Sequence, residues 1–383
     1  MSKRIGSIDF FRGFCMFLML IGHIALWLVV PADFRAQEFI WIALEPIAKG
    51  TGFILISGTS IALSLSGKSG GFENADKETK RLMRNTAYLR ALLLLCVALI
   101  FNVGLLFTNP EAKIYDWWIL FTLSICLMFT WPLMKLTINS RLIIGVMLLV
   151  FDYFFFQYLN ANLNNSPIYA DLMEFFFPSD TRQNPILSFF PFYLFGTIIG
   201  SLLTEVNFYE GSTEDFVRKV TLPVGLPSVG FLIFGILFNF PGFLVTNSFS
   251  YIIYAIGLNS LLVTVLLTID KITNFNFNSK YSPLFYYSFY SLTFYLLHYI
   301  IMFFPPNILN GITFWIVVVI LNVVLMFIFN LIYRKIKGLF SLKYLVSAGG
   351  LYFAIKIEEK FYNITTYADI SFIDRLKMNI SSD

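Results

Sequence analysis

Charged residues are scarce in this sequence. Asp, Glu, Lys and Arg together make up 13% of its 383 residues, whereas soluble domains contain about 25%. Hydrophobic residues make up 57%, and the mean hydropathy is +0.74. The net charge of +4 is small, so the composition offers no basic surface for nucleic acid. Over this length, the composition predicts an all-α polytopic membrane protein.

Cysteine and histidine are also rare. Cys15, Cys96 and Cys126 all lie in apolar runs, and no C-x-x-C motif occurs. This pattern predicts neither a disulfide framework nor a metal site, and we interpret the thiols as small hydrophobic side chains. Only two histidines occur, His23 and His298. Because imidazole titrates near neutral pH, these two residues are the first candidates for chemistry.

Long apolar runs are abundant in the sequence. We predict a bundle of about ten transmembrane helices from runs that are long enough to cross the hydrocarbon layer. The predicted segments are 8–30, 50–66, 88–107, 118–134, 142–158, 186–203, 220–240, 250–269, 284–304 and 312–333. Residues 1–335 therefore form the predicted bundle, and residues 336–383 form a predicted cytoplasmic tail that is partly amphipathic.

Lysine and arginine are distributed unevenly between the loops. With the N-terminus placed inside, the outer loops hold only Arg35, Lys49, Lys113 and Arg182 out of 27 basic residues. Cytoplasmic loops carry the excess of Lys and Arg in membrane proteins. The distribution therefore predicts a multi-pass protein of the cell membrane with both termini in the cytoplasm.

The first segment, SIDFFRGFCMFLMLIGHIALW, carries three ionisable residues that are costly in hydrocarbon. Asp9 and Arg12 are one turn apart and can pair with each other. Arg12 and His23 are eleven residues apart, which places them on one helix face and about 16 Å apart along the axis. Asp9 and Arg12 are either a self-neutralising pair or the entrance to a site. His23 is either a hydrogen-bonded imidazole or a reactive group.

Other polar residues in the predicted spans suggest partners. His298 lies in the outer half of the ninth segment, at a depth similar to that of His23, which indicates a proton relay or one reaction chamber unless the match is accidental. Asp152 is unpaired in the fifth segment and is a candidate acidic partner for a histidine. The run LISGTSIALSLSG, with Ser57 and Gly58, indicates close helix packing or backbone amides that approach a phosphate.

Four motifs together resemble a known superfamily. RIGSIDFFRGFCMFLMLIGH resembles the opening helix of the transmembrane acyltransferase superfamily, and the spacing from Arg12 to His23 matches that of acyltransferase family 3. FILISGTSIALS and NPILSFFPFYLFGTIIG resemble helices of the heparan-α-glucosaminide N-acetyltransferase-like membrane proteins of prokaryotes. YSLTFYLLHYII is similar to their late motif, with His298 at the motif histidine. The motifs occur in the expected order along the chain.

The resemblance implies an acyltransferase that moves an acyl group, expected to be acetyl, from cytoplasmic acyl-CoA to a hydroxyl or amine on the outer side. The acceptor class that it implies is a sugar, a glycolipid or a cell-envelope polymer. Expected partners are membrane lipids, acyl-CoA, this carbohydrate or glycolipid acceptor, and a second copy of the chain. Acetyl-CoA would be a co-substrate, and no metal is expected.

The resemblance also implies roles for residues at the catalytic end. His23 would act as a general base, or as a nucleophile that accepts the acyl group. His298 would orient His23 or donate a hydrogen bond to the oxyanion. Asp152 is the third catalytic candidate.

The expected donor site lies at the cytoplasmic end. Arg12 would bind the phosphates of CoA, because guanidinium suits phosphate geometry, with help from Arg84 or Arg90. The remaining donor-site candidates are Asp9, Ser57 and Gly58.

The sequence departs from the animal N-acetyltransferase pattern. That pattern has an asparagine at the position of His23 and a histidine before the second helix, where this sequence has none. Phe192 replaces a motif tryptophan, and the long luminal domain is absent, so transfer to heparan is not implied. The alternative function is a proton-coupled secondary transporter that uses the intramembrane His and Asp residues. Against it, inverted repeats and paired helices broken by Gly or Pro are not evident.

Overall fold

The computed structural model describes residues 4–66, 75–107, 112–178, 183–273, 275, 277 and 283–362. Within these ranges the chain is helical, and its extended backbone pairs at a single bridge between Val29 and Leu309. The α-helices are α1 (Gly6–Leu28), α2 (Pro31–Ala48), α3 (Thr51–Ser66), α4 (Lys77–Leu106), α5 (Ile119–Met128), α6 (Thr130–Met134), α7 (Ile138–Asn162), α8 (Pro167–Phe176), α9 (Ile186–Glu205), α10 (Thr213–Phe216), α11 (Leu222–Phe238), α12 (Phe249–Thr273), α13 (Pro283–Phe289), α14 (Ser291–Leu297), α15 (Gly311–Ile336) and α16 (Leu342–Tyr362). The predicted all-α class is confirmed.

Eight helical stretches in the described residues are long and apolar enough to cross a membrane. They are Gly6–Leu28, Ala43–Ser66, Lys77–Leu106, Ile138–Asn162, Ile186–Glu205, Thr213–Phe238, Phe249–Thr273 and Gly311–Tyr362. Each overlaps one predicted segment, so the chain is a polytopic membrane protein. The other two predicted segments, 118–134 and 284–304, are helical but interrupted. The count of ten spans and the cytoplasmic termini stay predictions.

The first interruption separates α5 from α6 at Phe129. Pro132 lies in the first turn of α6. Proline has no N–H to donate, and its ring clashes with the carbonyl four residues earlier. The hydrogen-bond ladder therefore cannot run unbroken past Met128.

The second interruption, at Tyr290 between α13 and α14, has neither proline nor glycine at the break. Two side chains from the C-terminal part of the chain bond the carbonyls that precede it. Lys343 Nζ donates to the Ser288 carbonyl at 3.0 Å, and Ser341 Oγ donates to the Phe289 carbonyl at 2.9 Å. Side chains inserted into a helical ladder kink the helix. A search of the sequence for helices broken by Gly or Pro misses this break, because it coincides with contacts from distant side chains and with neither of those residues.

Glycines bring α3 and α9 into direct backbone contact. A Cβ atom on Gly58 would collide with the carbonyl oxygen of Tyr193, and one on Gly196 would collide with that of Leu55. Small residues permit this close approach between membrane helices. The small-residue run of α3 is thus used for helix packing.

Helix α1 lies inside the bundle, packed against α2, α3, α12, α13 and α14. It runs parallel to the α13–α14 pair and approaches it most closely at Gly13, where a Cβ atom would collide with the Leu284 carbonyl. At the far end, Val30 N–H donates to the Leu309 carbonyl at 2.9 Å, and Leu309 N–H donates to the Leu28 carbonyl at 2.8 Å. The far end of α1 is therefore fixed to the segment that leads into α15.

The C-terminal helix α16 packs along α4. Ala348, Gly349 and Gly350 are buried, and Glu358, 2% exposed, pairs with Arg81 at 2.6 Å. Helix α16, which lies in the predicted tail, thus packs against the bundle, and the division of the chain at residue 335 stays a prediction. The remainder of the predicted tail, 363–383, lies outside the described residues.

Candidate active site

A cavity of about 80 Å³ lies among the ends of several helices. From α1 it is lined by Cys15, Met16, Met19 and His23. From α14 and the 3₁₀ turn after it, it is lined by Leu292, Tyr295, His298 and Tyr299. The other lining residues are Ile47, Ala48, Lys49, Gly50, Phe53, Trp118, Ile119, Leu120, Gln183 and Asn184. The cavity is therefore largely apolar, with two imidazoles in its wall.

The two histidines that the sequence places at one depth lie side by side. Their ring centroids are 4.6 Å apart and the ring planes are inclined at 61°. His298 is 4% exposed and His23 is half-buried. The structure thus brings together residues that are 275 positions apart, in one chamber.

Backbone carbonyls set the hydrogen-bonding state of both imidazoles. Nδ1 of His23 lies 2.8 Å from the Met19 carbonyl, and Nδ1 of His298 bonds to the Tyr295 carbonyl. A carbonyl can only accept, so in the neutral rings Nδ1 carries the proton and Nε2 carries a free lone pair. Nε2 of His298 is buried with no hydrogen-bond partner among the described residues. Both rings therefore present a base to the chamber.

Aromatic rings hold the histidines in place. Trp27 lies 4.7 Å from His23, centroid to centroid, and its ring is nearly parallel to that of His298, at 5° and 6.2 Å. Tyr299 lies 4.3 Å from His298. The His23 ring is thus in edge contact with both Trp27 and His298, and its rotation is restricted.

The other end of α1 carries the predicted donor-site pair. Arg12 Nη1 lies 2.6 Å from Asp9 Oδ1, and Arg12 Nη2 donates to Ser60 Oγ at 2.5 Å. Arg4 Nε lies 3.5 Å from Asp9 Oδ2. Ser288 Oγ donates to Asp9 Oδ1 at 3.2 Å and lies 3.5 Å from Arg12 Nη1. Asp9 and Arg12 do pair, and a second cation reaches the same carboxylate.

The two polar ends are joined by one continuous interface, which we call the seam. On α1 it consists of Arg12, Met16, Met19 and His23. On α13, α14 and the 3₁₀ turn after α14 it consists of Ser288, Leu292, Tyr295 and His298. Both sets recur at helical spacing on one face. The seam begins at the Arg12–Ser288 contact and ends at the histidine pair. The cavity occupies its middle and its histidine end.

Asp152 does not join this site. Its Oδ1 accepts a hydrogen bond from Ser188 Oγ at 2.8 Å, and Asp152 is not among the residues that line the cavity. Helix α7, which carries it, packs against α9 and α8. The expected pairing of Asp152 with a histidine is therefore corrected: its hydrogen-bond partner is a serine.

The basic residues of α4 are not brought to Arg12 either. Arg84 is exposed, and its Nε lies 3.5 Å from Asn85 Oδ1. Arg90 Nε lies 3.4 Å from the Ser347 carbonyl, and a Cβ atom on Gly350 would press against the Arg90 side chain. Helix α16 therefore covers Arg90, which the sequence assigned to phosphate.

Two small residues of α3 also have other contacts. Ser57 Oγ donates to the Phe53 carbonyl at 2.7 Å, and Gly58 faces α9 as described above. Ser60 is the α3 residue that reaches Arg12. The sequence analysis missed Ser60, together with Trp27 and Ser288. The last carried a signal, because Ser288 precedes His298 by ten residues much as Arg12 precedes His23 by eleven.

The mouth of the cavity carries its own polar residues. Lys49 pairs with Glu45 at 3.2 Å, as their spacing of four predicts. Asn184 Nδ2 donates to the Lys49 carbonyl at 2.9 Å. The second contact ties the C-terminal end of α2 to the residues that precede α9. No group of three or more His, Cys, Asp or Glu side chains in the described ranges is arranged to hold a metal ion.

The chain matches the model of one known protein family. The family model for heparan-α-glucosaminide N-acetyltransferase, catalytic, matches residues 4–223. The match includes Arg12 and His23 and ends before Ser288 and His298. No curated protein matches the chain. Because the matched range covers more than half of the sequence, the chain belongs to the heparan-α-glucosaminide N-acetyltransferase catalytic family and is a membrane acyltransferase.

Proposed function

We propose that this protein transfers an acetyl group from cytoplasmic acetyl-CoA to a hydroxyl or amine of a sugar, a glycolipid or a cell-envelope polymer on the outer side. The observation that carries the proposal is the seam. It joins a cationic end, which suits the phosphates of a donor, to a chamber with two imidazoles, which suits its thioester. The distribution of Lys and Arg supports the cytoplasmic placement of the cationic end.

The middle of the seam suits an apolar, flexible arm. Its side chains there are Met16, Met19 and Leu292, and Cys15 lies beside them. Methionine has three rotatable bonds and adapts its shape to what it contacts. We therefore expect the pantetheine arm to lie along α1 by displacing thioether side chains, since the cavity of about 80 Å³ suits the acetyl thioester and little more.

His23 is the proposed general base. Its Nδ1 proton is engaged by the Met19 carbonyl, so Nε2 can accept a proton from the acceptor hydroxyl or amine. The acceptor oxygen or nitrogen then bonds to the thioester carbonyl carbon, the carbon–sulfur bond breaks, and the CoA sulfur leaves as a thiolate that takes up the proton. General base catalysis contributes about 10²–10⁴-fold to a rate.

Of the two roles that the sequence analysis gave His298, we propose the orienting role and not hydrogen-bond donation to the oxyanion. With its Nδ1 proton on the Tyr295 carbonyl, its neutral ring has no second N–H to offer an oxyanion. The oxyanion role would require a proton on Nε2. In the neutral form, Nε2 of His298 is available to accept a hydrogen bond from the acceptor, and the ring limits the movement of the His23 ring, which lies 4.6 Å away. We assign it to positioning of His23 and of the acceptor.

The transporter alternative finds less support. It requires a chain of ionisable residues, and Asp152, its third member, bonds to Ser188 and does not line the cavity that holds the histidines. A second copy of the chain as a partner stays a prediction.

The proposal is tested by filling the seam with a bulky side chain and measuring whether acetyl-CoA still stabilises the protein. Acetyl-CoA is expected to raise the melting temperature of the detergent-purified protein, since a ligand at a hundred times its Kd stabilises by about 2.7 kcal/mol. Met19→Trp places a bulky ring in the cavity and should abolish the shift. Leu26→Trp, at an α1 position that is 64% exposed, is the control and should keep it. An equal shift in both variants would place the donor elsewhere and refute the proposal.

A further inference from the structure

Three cations converge at the N-terminal end of α1. Arg12 and Arg4 both contact Asp9, at 2.6 Å and 3.5 Å. Lys343 comes from the first turn of α16, and its Nζ donates to the carbonyl of Ser288 at 3.0 Å. Since Ser288 Oγ also donates to Asp9 Oδ1 at 3.2 Å, the three cations surround one carboxylate.

A second acidic group, Asp270, also lies at this end of α1, and its Oδ2 accepts the Ser7 N–H at 2.9 Å. Its neighbour Lys271 donates to the carbonyls of Phe208 and Gly211, at 2.7 Å and 2.6 Å. This end of α1 therefore brings Arg4, Arg12 and Lys343 together with Asp9 and Asp270.

An aromatic ring completes the group. Tyr344 has the Arg4 guanidinium 5.9 Å from its ring centroid and Lys343 Nζ 5.6 Å from it. Phe289 packs against Tyr344, with ring centroids 4.8 Å apart and ring planes inclined at 30°. Arg4 is exposed and Tyr344 is half-buried, so the ring and a cation lie where a solute can reach them. Cations beside an accessible aromatic face suit a ligand that combines phosphates with a flat base.

We propose that Arg4, Lys343 and Tyr344, which we call the inner cluster, bind the phosphorylated nucleotide end of the acyl-CoA donor. This inference rests on the proposed function and adds the residues that recognise the donor. Lys343 and Tyr344 lie outside the matched range 4–223. They take the place that the sequence analysis gave to Arg84 and Arg90.

The position of the inner cluster fits the length of the seam. The cluster contacts Asp9 and Ser288, which also contact Arg12 at the start of the seam. From Arg12 to His23 the distance along α1 is about 16 Å. A nucleotide bound at the inner cluster therefore leaves the rest of the donor to extend along the seam toward the histidines.

Two ligands separate recognition of the nucleotide from recognition of the arm. CoA carries the nucleotide, and S-acetyl-pantetheine lacks it. Lys343→Ala is expected to weaken CoA binding about tenfold, which corresponds to 1.4 kcal/mol, and to lower the preference for CoA over S-acetyl-pantetheine by the same factor. Binding is measured by calorimetry on the detergent-purified full chain, and raised ionic strength should weaken CoA binding selectively.

Lys356→Ala is the matched control. Lys356 lies thirteen residues further along α16 and pairs with Glu359 at 2.6 Å, so this variant should keep the wild-type preference. Should Lys343→Ala fail to fold, Arg4→Ala tests the same point, because the Arg4 side chain is 35% exposed. Unchanged preference for CoA in the folded variant would overturn the inner cluster alone. Wild-type protein that binds neither ligand would instead overturn the proposed function.

Discussion

Replacing His23 by asparagine distinguishes the roles of the two nitrogens of its imidazole. The amide nitrogen of asparagine occupies roughly the position of Nδ1 and can keep the bond to the Met19 carbonyl, 2.8 Å away in the wild type. No group replaces Nε2, which is the proposed base. The variant should therefore fold normally and lose the base catalysis that His23 supplies.

The expected magnitude follows from that single loss. General base catalysis is worth about 10²–10⁴-fold, or about 3–5 kcal/mol of barrier at 1.36 kcal/mol per decade. We expect kcat to fall by this factor with little change in KM for acetyl-CoA, because the cationic end of the seam is untouched. The assay follows release of the CoA thiol from acetyl-CoA with an amino-sugar acceptor that the wild type uses.

The matched variant is His298→Asn, which likewise can keep its bond to the Tyr295 carbonyl. If His298 only positions its neighbour, its kcat should fall by less than that of His23→Asn. Retention of more than a tenth of wild-type kcat by His23→Asn, at an unchanged melting temperature, would refute the assignment of the base. A larger loss of kcat in His298→Asn than in His23→Asn would identify His298 as the general base.

Two further predictions concern the framework. Gly196→Ala should lower thermal stability by about 1–3 kcal/mol, the usual cost of overpacking, because its Cβ would strike the Leu55 carbonyl. Gly230→Ala, whose Cβ meets no atom within 4 Å, is the control for thermal unfolding in detergent, and equal melting temperatures would contradict the packing argument. Asp152→Asn should leave acetyl transfer within about twofold of wild type, since a neutral amide still accepts from Ser188, and a loss comparable to that of His23→Asn in the same assay would restore Asp152 to the site.

Several features of the site could be read from single helices. The spacing of Arg12 and His23 predicts a shared face because the α-helical repeat is fixed by local geometry. The same holds for the pairing of Asp9 with Arg12 and of Glu45 with Lys49, which the structure shows at 2.6 Å and 3.2 Å. Similar depth of His23 and His298 was also a local inference, from counting residues along two spans.

Contacts between helices were predicted less well. Asp152 was expected near a histidine because both are rare in a membrane, but α7 packs against α9 and gives it Ser188. Arg90 was expected to bind phosphate because it is basic, but α16 covers it. The break at Tyr290 was not predicted, because no proline or glycine marks it in the sequence. The side chains that bond the Ser288 and Phe289 carbonyls come from more than forty residues away.

The sequence by itself determined that the chain spans a membrane, that it belongs among the acyltransferases, and that one helix carries Arg12 and His23 on the same face. The span and the shared face depend on apolar run length and helical periodicity, which are local, whereas the place among the acyltransferases rests on the resemblance of the motifs. The tertiary structure alone decided that His298 meets His23, that both imidazoles direct a free Nε2 to one chamber, and that α16 delivers Lys343 to Asp9. Such contacts depend on which helices pack together and at what rotation, and no local pattern specifies either.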